Sequence, residues 1–178
     1  MNDECVVVTG ASGYIGSHIV ANLLLKGKKV RATVLDSQDH ERDKHLKEME
    51  VSENGSLEIV EMDLFDEESV DLAISGATDV IHTAAVVIVR SKNPQEKIVD
   101  PSVIGTKNII SAIEKSGTVE RFVHTSSTAA IRPEEWEDGE GDGDGAAGKE
   151  GAQKALLASG RHVGHHVLVH LHRFPALV

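Results

Sequence analysis

A chain of 178 residues, 40% hydrophobic and 26% charged, is long enough for one domain with a real hydrophobic core. Its net charge of −11 argues against non-specific affinity for nucleic acid or an anionic membrane surface, since both need Lys and Arg to displace phosphate counterions. No apolar run approaches the ~20 residues that span a bilayer, Asp3-Glu4 lead straight into an apolar strand rather than a secretory signal, and the single cysteine, Cys5, excludes an internal disulfide framework, which together point to a cytoplasmic setting.

Cys5–Thr9 (CVVVT) is a continuous apolar run, as expected of a strand covered on both faces, with Cys5 as a small buried hydrophobe. Tyr14–Lys26 follows as a helix, with Ile15, Ile19, Leu23 and Lys26 at helical spacing and Gly27 as its stop. His18 on this helix is expected to face solvent. Lys29–Leu35 is the second strand, and the polar stretch Ser37–Glu50 a solvent-facing helix. Leu57–Glu61, Asp79–Thr83 and Arg121–Thr125 supply strands three to five, separated by helices around Glu67–Ser75 and Glu96–Ser116. His82 and His124 are expected as satisfied, partly buried side chains rather than ligands. The alternation of short apolar strands with helical stretches predicts successive βαβ units: a three-layer, doubly wound α/β fold with a mainly parallel sheet.

The rhythm stops near Pro133. Residues 1–132 carry 21 acids and 14 bases, residues 133–145 carry 7 acids and no base, and residues 146–178 carry 1 acid and 4 bases. Glu134–Gly145 (EEWEDGEGDGDG) has a composition that cannot repay the entropy of ordering and reads as a loop. Residues 161–178 hold 5 of the 10 histidines. His166, His170 and His172 share one face of a strand and His162, His166 and His170 one face of a helix, but with no Cys, Asp or Glu nearby the expectation is no metal. The predicted domain is therefore residues 1–132, with residues 133–178 as an appended loop and tail foreign to the fold.

The sequence VVVTGASGYIGSHIV places Gly10, Gly13 and Gly16 between a strand and a helix in the spacing G-x-x-G-x-x-G. Gly10 allows the tight turn, Gly13 lets backbone amides approach a pyrophosphate, and Gly16 lets the helix pack hard on the sheet. The free N–H groups and positive dipole end of that helix then hold phosphates, so Ser12, Tyr14 and Ile15 join the glycines as candidate dinucleotide contacts. An acid, Asp36, follows 20 residues after Gly16 at the end of the second strand, the spacing of a ribose-binding carboxylate.

With TGASGYIGSHIV, VRATVLD, MDLFDEES, VIHTAA, DPSVIGTKNII and RFVHTSSTAAI in order over residues 4–132, the chain resembles the extended short-chain dehydrogenase/reductases, more narrowly the dihydroflavonol reductase and cinnamoyl-CoA reductase group. The resemblance implies an NAD(P)-dependent oxidoreductase moving hydride between nicotinamide and a carbonyl or alcohol substrate. It implies that Asp63 and Leu64 lie along the adenine, that Thr83, Ala84 and Ala85 lie against phosphates and ribose, and that Ser127, with Ser126 beside it, hydrogen-bonds the substrate carbonyl. Where the group usually has an arginine for the 2′-phosphate of NADP, this chain has Leu35, next to Asp36, with Arg42 and Lys44 beyond; the cofactor is written NAD(P), with NADP slightly favoured.

The resemblance also implies a proton-donating tyrosine with a lysine four residues on, roughly 30–45 residues after Ser127. Tyr14 is the only tyrosine, and Glu150 stands four residues before Lys154. Pro175–Val178 (PALV) looks like a fragment of the group's sixth strand, and the chain is about half a member's length. The alternative expectation is thus a nucleotide-binding fragment without catalysis, or a truncated or frame-shifted product whose fold ends after about the fifth strand.

Overall fold

The computed structural model describes residues 4–86, 92, 93, 95–126 and 169–173. Strand β1 (Cys5–Thr9) leads into helix α1 (Tyr14–Leu25), then β2 (Lys29–Val34), α2 (His40–Lys47), β3 (Ser56–Glu61), α3 (Glu67–Ile74) and β4 (Asp79–His82). A π-helical turn, Gln95–Val99, opens directly into α4 (Asp100–Ser116), followed by β5 (Arg121–Thr125). The sheet order is β3-β2-β1-β4-β5, all parallel, and β6 (Val169–Arg173) adds antiparallel to β5 with Thr125 opposite Val169. The expected doubly wound, mainly parallel fold with five strands is borne out. A piece of the histidine-rich tail supplies an additional edge strand, whereas Pro175–Val178 lies outside the described residues.

The valine run of β1 serves two cores at once. Val7 points into a core with Val80, Phe122, Ile109 and Ile113 beneath α3 and α4, while Val6 and Val8 enter a second core with Val20, Leu24, Val30, Ala32 and Leu46 beneath α1 and α2. Alternate side chains of one strand serve opposite faces, so both must be buried. Cys5 at its head is only half-buried, less than expected, because the strand begins at the sheet's rim; burial still pushes its thiol pKa up.

Capping sets the helix bounds. At the end of α1 the Gly27 amide donates to the Leu24 carbonyl and the Lys28 amide to the Leu23 carbonyl, both at 3.0 Å, with Gly27 at φ +72°. This is a Schellman stop, and it needs a residue that tolerates left-handed backbone. Helix α2 starts at His40 rather than near Ser37, because Asp39 caps it by accepting the Arg42 amide at 3.2 Å. Ser37 is instead tied to Glu61 on β3, giving its amide at 2.9 Å and its hydroxyl at 2.5 Å to one carboxylate oxygen. Those two bonds hold the Glu61 carboxyl below the usual carboxylate range.

Candidate dinucleotide site

Strand order reverses at β1: α1 carries the chain to β2 on one side, while β4 lies on the other. In open parallel sheets the crevice at such a reversal, outside the carboxyl ends of the strands, is where ligands sit. Gly10 to Gly16 occupy that point. Gly10 has φ +67°, and a Cβ there would lie 2.8 Å from Ala84 Cα, so both conformation and space require glycine. A Cβ on Gly16 would overlap the Gly10 carbonyl oxygen. Gly13 differs: its φ of −78° suits any residue, and an added Cβ would meet only the Gly10 carbonyl oxygen, at 3.2 Å. The protein's own packing therefore requires glycine at 10 and 16 more strongly than at 13, which is exposed at the start of α1 and whose added Cβ needs only a small shift of one backbone oxygen.

That helix start is uncapped. Gly13 at the N-cap makes no side-chain cap hydrogen bond, and no acid stands in the first turn. Donors and a positive dipole end are thus left for an anion. The Ala11 amide donates to the Thr33 carbonyl at 3.0 Å, tying the turn to β2. Ser12 is half-buried, whereas Tyr14 is 82% and Ile15 54% exposed; the Tyr14 ring meets His18 edge-on at 4.7 Å, and His18 is solvent-facing as expected.

The loop after β4 closes the other side. Thr9, wholly buried at the end of β1, accepts from the amides of Thr83 at 3.1 Å and Ala84 at 3.2 Å through its hydroxyl. Its carbonyl accepts the Thr83 hydroxyl at 2.6 Å, and its hydroxyl also meets His82 Nδ1 at 2.7 Å. Sequence reasoning missed Thr9 altogether. His82 and His124 are each only 2% exposed, deeper than expected, with rings stacked at 5.3 Å beside Phe122. The cause is that β4 and β5 are central strands, and even-numbered positions 80, 82, 122 and 124 face the α3–α4 core.

The remaining candidates line the same edge. Asp36 is exposed just beyond β2, where one carboxylate oxygen accepts the Gln38 amide at 2.8 Å, and Leu35 beside it is 66% exposed. Asp63, half-buried beyond β3, accepts the Phe65 amide at 2.9 Å and caps that turn; the residue capping α3 is Asp66, which accepts the Glu68 amide at 3.1 Å. Leu64 packs against Gly105 of α4, where an added Cβ would lie 3.1 Å from it, and its carbonyl accepts from the Asn108 side chain at 2.8 Å. Ala85 is exposed and Ser126, after β5, half-buried. Ser127, Glu150, Lys154, His162 and His166 lie outside the described residues. Among the described residues no helix is long and apolar enough to cross a membrane.

Residues 7–162 match the profile of the 3-beta hydroxysteroid dehydrogenase/isomerase family. A bifunctional dihydroflavonol 4-reductase/flavanone 4-reductase of Malus domestica is 41% identical over 132 residues, 74% of this chain and 38% of its own length. A cinnamoyl-CoA reductase of Medicago truncatula is 38% identical over 126 residues, 71% of this chain and 38% of its own length. The structure of yeast methylglyoxal/isovaleraldehyde reductase complexed with NADPH superposes with a TM-score of 0.69 at 26% identity, covering 87% of this chain and 52% of that one. The chain thus spans less than half the length of these curated relatives. With its glycine turn at the sheet's reversal point, it belongs to the 3-beta hydroxysteroid dehydrogenase/isomerase family, as the resemblance to dihydroflavonol and cinnamoyl-CoA reductases implies.

Proposed function

We propose that residues 1–132 form the dinucleotide-binding unit of a cytoplasmic carbonyl reductase that takes NAD(P)(H), with NADP(H) slightly favoured. The observation that carries this reading is Gly13: an exposed glycine with an ordinary φ, demanded less by packing than its neighbours, at a helix start with no side-chain cap beside a turn that needs glycine at 10 and 16. A ligand that must pass close to the backbone accounts for it. The amides following Gly13, through Tyr14, Ile15 and Gly16, hold the pyrophosphate with Ser12, and Thr83, Ala84 and Ala85 lie along phosphates and ribose. Asp36 takes the adenosine ribose, and Asp63 and Leu64 flank the adenine. When bound, the nicotinamide supplies or accepts the hydride. Ser127, with Ser126, hydrogen-bonds the carbonyl oxygen on which negative charge develops, which lowers the barrier to hydride arrival at the carbonyl carbon. NADPH in the structurally similar yeast reductase supports the cofactor, and the dihydroflavonol and cinnamoyl-CoA reductases support the substrate class.

A second reading is dinucleotide binding without turnover. It is favoured by the sole tyrosine, Tyr14, which opens α1 and has His18, not lysine, four residues on. Calorimetric titration of the purified chain with NADPH and NADH, followed by an assay of NADPH oxidation with aromatic and aliphatic carbonyls, tests both. Binding with turnover supports the reductase; binding without it supports the second reading; no binding of either dinucleotide refutes both.

A further inference from the structure

We propose that His82 is a positioning residue for the dinucleotide site, acting through Thr9 on the loop that holds Thr83, Ala84 and Ala85. The inference rests on the assignment of that loop to the cofactor. A hydroxyl has one proton and two lone pairs. The Thr9 hydroxyl receives the amides of Thr83 and Ala84 at 3.1 and 3.2 Å, and amides only donate, so both lone pairs are taken. Its proton must then go to the third partner, His82 Nδ1, at 2.7 Å. His82 is therefore a neutral imidazole with an unprotonated Nδ1 and its proton on Nε2. A proton on Nδ1 would turn a donor toward an oxygen already filled, and one of the two amides would be displaced.

The consequence reaches the ligand site directly. Ala84, whose amide is one of the two, lies against Gly10, where there is no room even for a Cβ. A loop that loses an anchor at Thr9 moves against the glycine turn or away from it, and in both cases the gap between them changes. Thr9 is wholly buried and His82 2% exposed, so water does not replace the lost partner. The His124 ring on β5 stacks against that of His82, with centroids 5.3 Å apart.

Two substitutions separate positioning from packing. His82→Phe keeps the ring stack with Phe122 and His124 but has no acceptor, whereas His82→Asn loses the ring but offers an amide oxygen near the place of Nδ1. Calorimetric titration of the full chain with NADPH is expected to show binding weakened about tenfold in His82→Phe and held closer to wild type in His82→Asn. The opposite order, with His82→Phe binding as wild type, overturns the proposal. Where either variant fails to fold, long-range ¹H–¹⁵N correlation on the wild-type imidazole reads the same point, with an unprotonated Nδ1 expected and a protonated Nδ1 refuting it. In His82→Phe, NADPH affinity and the protection of the Thr83 and Ala84 amides from exchange are expected to fall together; independence of the two refutes the coupling. A wild-type chain that binds neither NADPH nor NADH removes the site assignment and the positioning role with it, while binding by a chain with protonated Nδ1 removes the positioning role alone.

Discussion

Gly16, in the first turn of α1, stands so close to Gly10 that a Cβ on it would overlap the Gly10 carbonyl oxygen and lie 2.9 Å from Ala11 Cα. These are backbone atoms, so no side-chain rotation relieves the clash. Gly16→Ala is expected to lower stability by about 1–3 kcal/mol, the usual range for overpacking. Gly10→Ala should do the same, since its φ of +67° adds left-handed strain to the contact with Ala84. Gly13→Ala, meeting a single oxygen at 3.2 Å, should melt close to the wild type without ligand and lose much of the rise in melting temperature that NADPH produces. Thermal melts with and without NADPH check all three. A Gly13→Ala chain that keeps the full rise shows that no phosphate passes over that position.

Asp43 sits in α2 only 1% exposed, and neither of its carboxylate oxygens has a hydrogen-bond partner among the described residues. Burial pushes its carboxyl pKa up, partly offset by the nearby Lys47. A carboxyl whose folded pKa lies above its unfolded value, ~3.9, contributes stability fully present below that value and lost as pH rises through the folded pKa. Asp43→Asn removes the ionisation and is expected to melt above the wild type at neutral pH, with the gap closing as pH falls toward about 4. Calorimetric melts across that range check the sign. A variant that melts lower at neutral pH, with a gap that widens as pH rises, would mean the anion is held in the fold.

Arg121 on β5 pairs with Asp79 on β4 at the register position directly beside it, Nη2 donating to Oδ2 at 2.9 Å and Nε to Oδ1. Thr78 adds a hydroxyl to Oδ2 at 2.9 Å. The Asp79 side chain is 11% exposed and that of Arg121 43%, so the pair is sheltered on one side only. Arg121→Ala leaves a nearly buried carboxylate with Thr78 as its hydrogen-bond partner among the described residues, while Asp79→Asn leaves a guanidinium that water can reach. The first should lose about 1–2 kcal/mol, between the values for exposed and buried pairs, and the second less. Urea unfolding of both variants measures the order, and a larger loss in Asp79→Asn would contradict it.

The elements that were legible in the sequence are those specified locally. β1 and β5 have the bounds their apolar runs predict, and α1 begins at Tyr14 and stops before Gly27, because β-branched runs and glycine stops act within a few residues. What was not legible depends on partners far along the chain. The start of α2 is displaced because Ser37 is bound to Glu61, 24 residues away, and the Thr9–His82 pair spans 73. No local spacing encodes either, and both hydroxyls look like ordinary turn or strand residues until the sheet brings their partners alongside. The same holds at the site: the glycine triplet was readable from its pattern, while the hydroxyl that anchors the facing loop was not.

Cofactor preference gives the last prediction. Leu35 is 66% exposed at the end of β2, followed by exposed Asp36, and the next strand ends in Glu61, which stays ionised to lower pH than an ordinary carboxylate because Ser37 bonds it. The ribose end of the proposed site is therefore rich in carboxylates and presents an apolar side chain where the 2′-phosphate of NADPH would need a cation. Arg42 stands exposed in the first turn of α2, which follows β2. Leu35→Arg should strengthen NADPH binding by about tenfold, the worth of one charge-assisted bond to phosphate, and leave NADH little changed. The gain should shrink with added salt, because the new contact is exposed. Paired titrations with the two dinucleotides at low and high ionic strength measure it. Equal gains for NADH and NADPH would place the adenosine ribose elsewhere, since an arginine that cannot distinguish a hydroxyl from a phosphate is not beside the 2′ position.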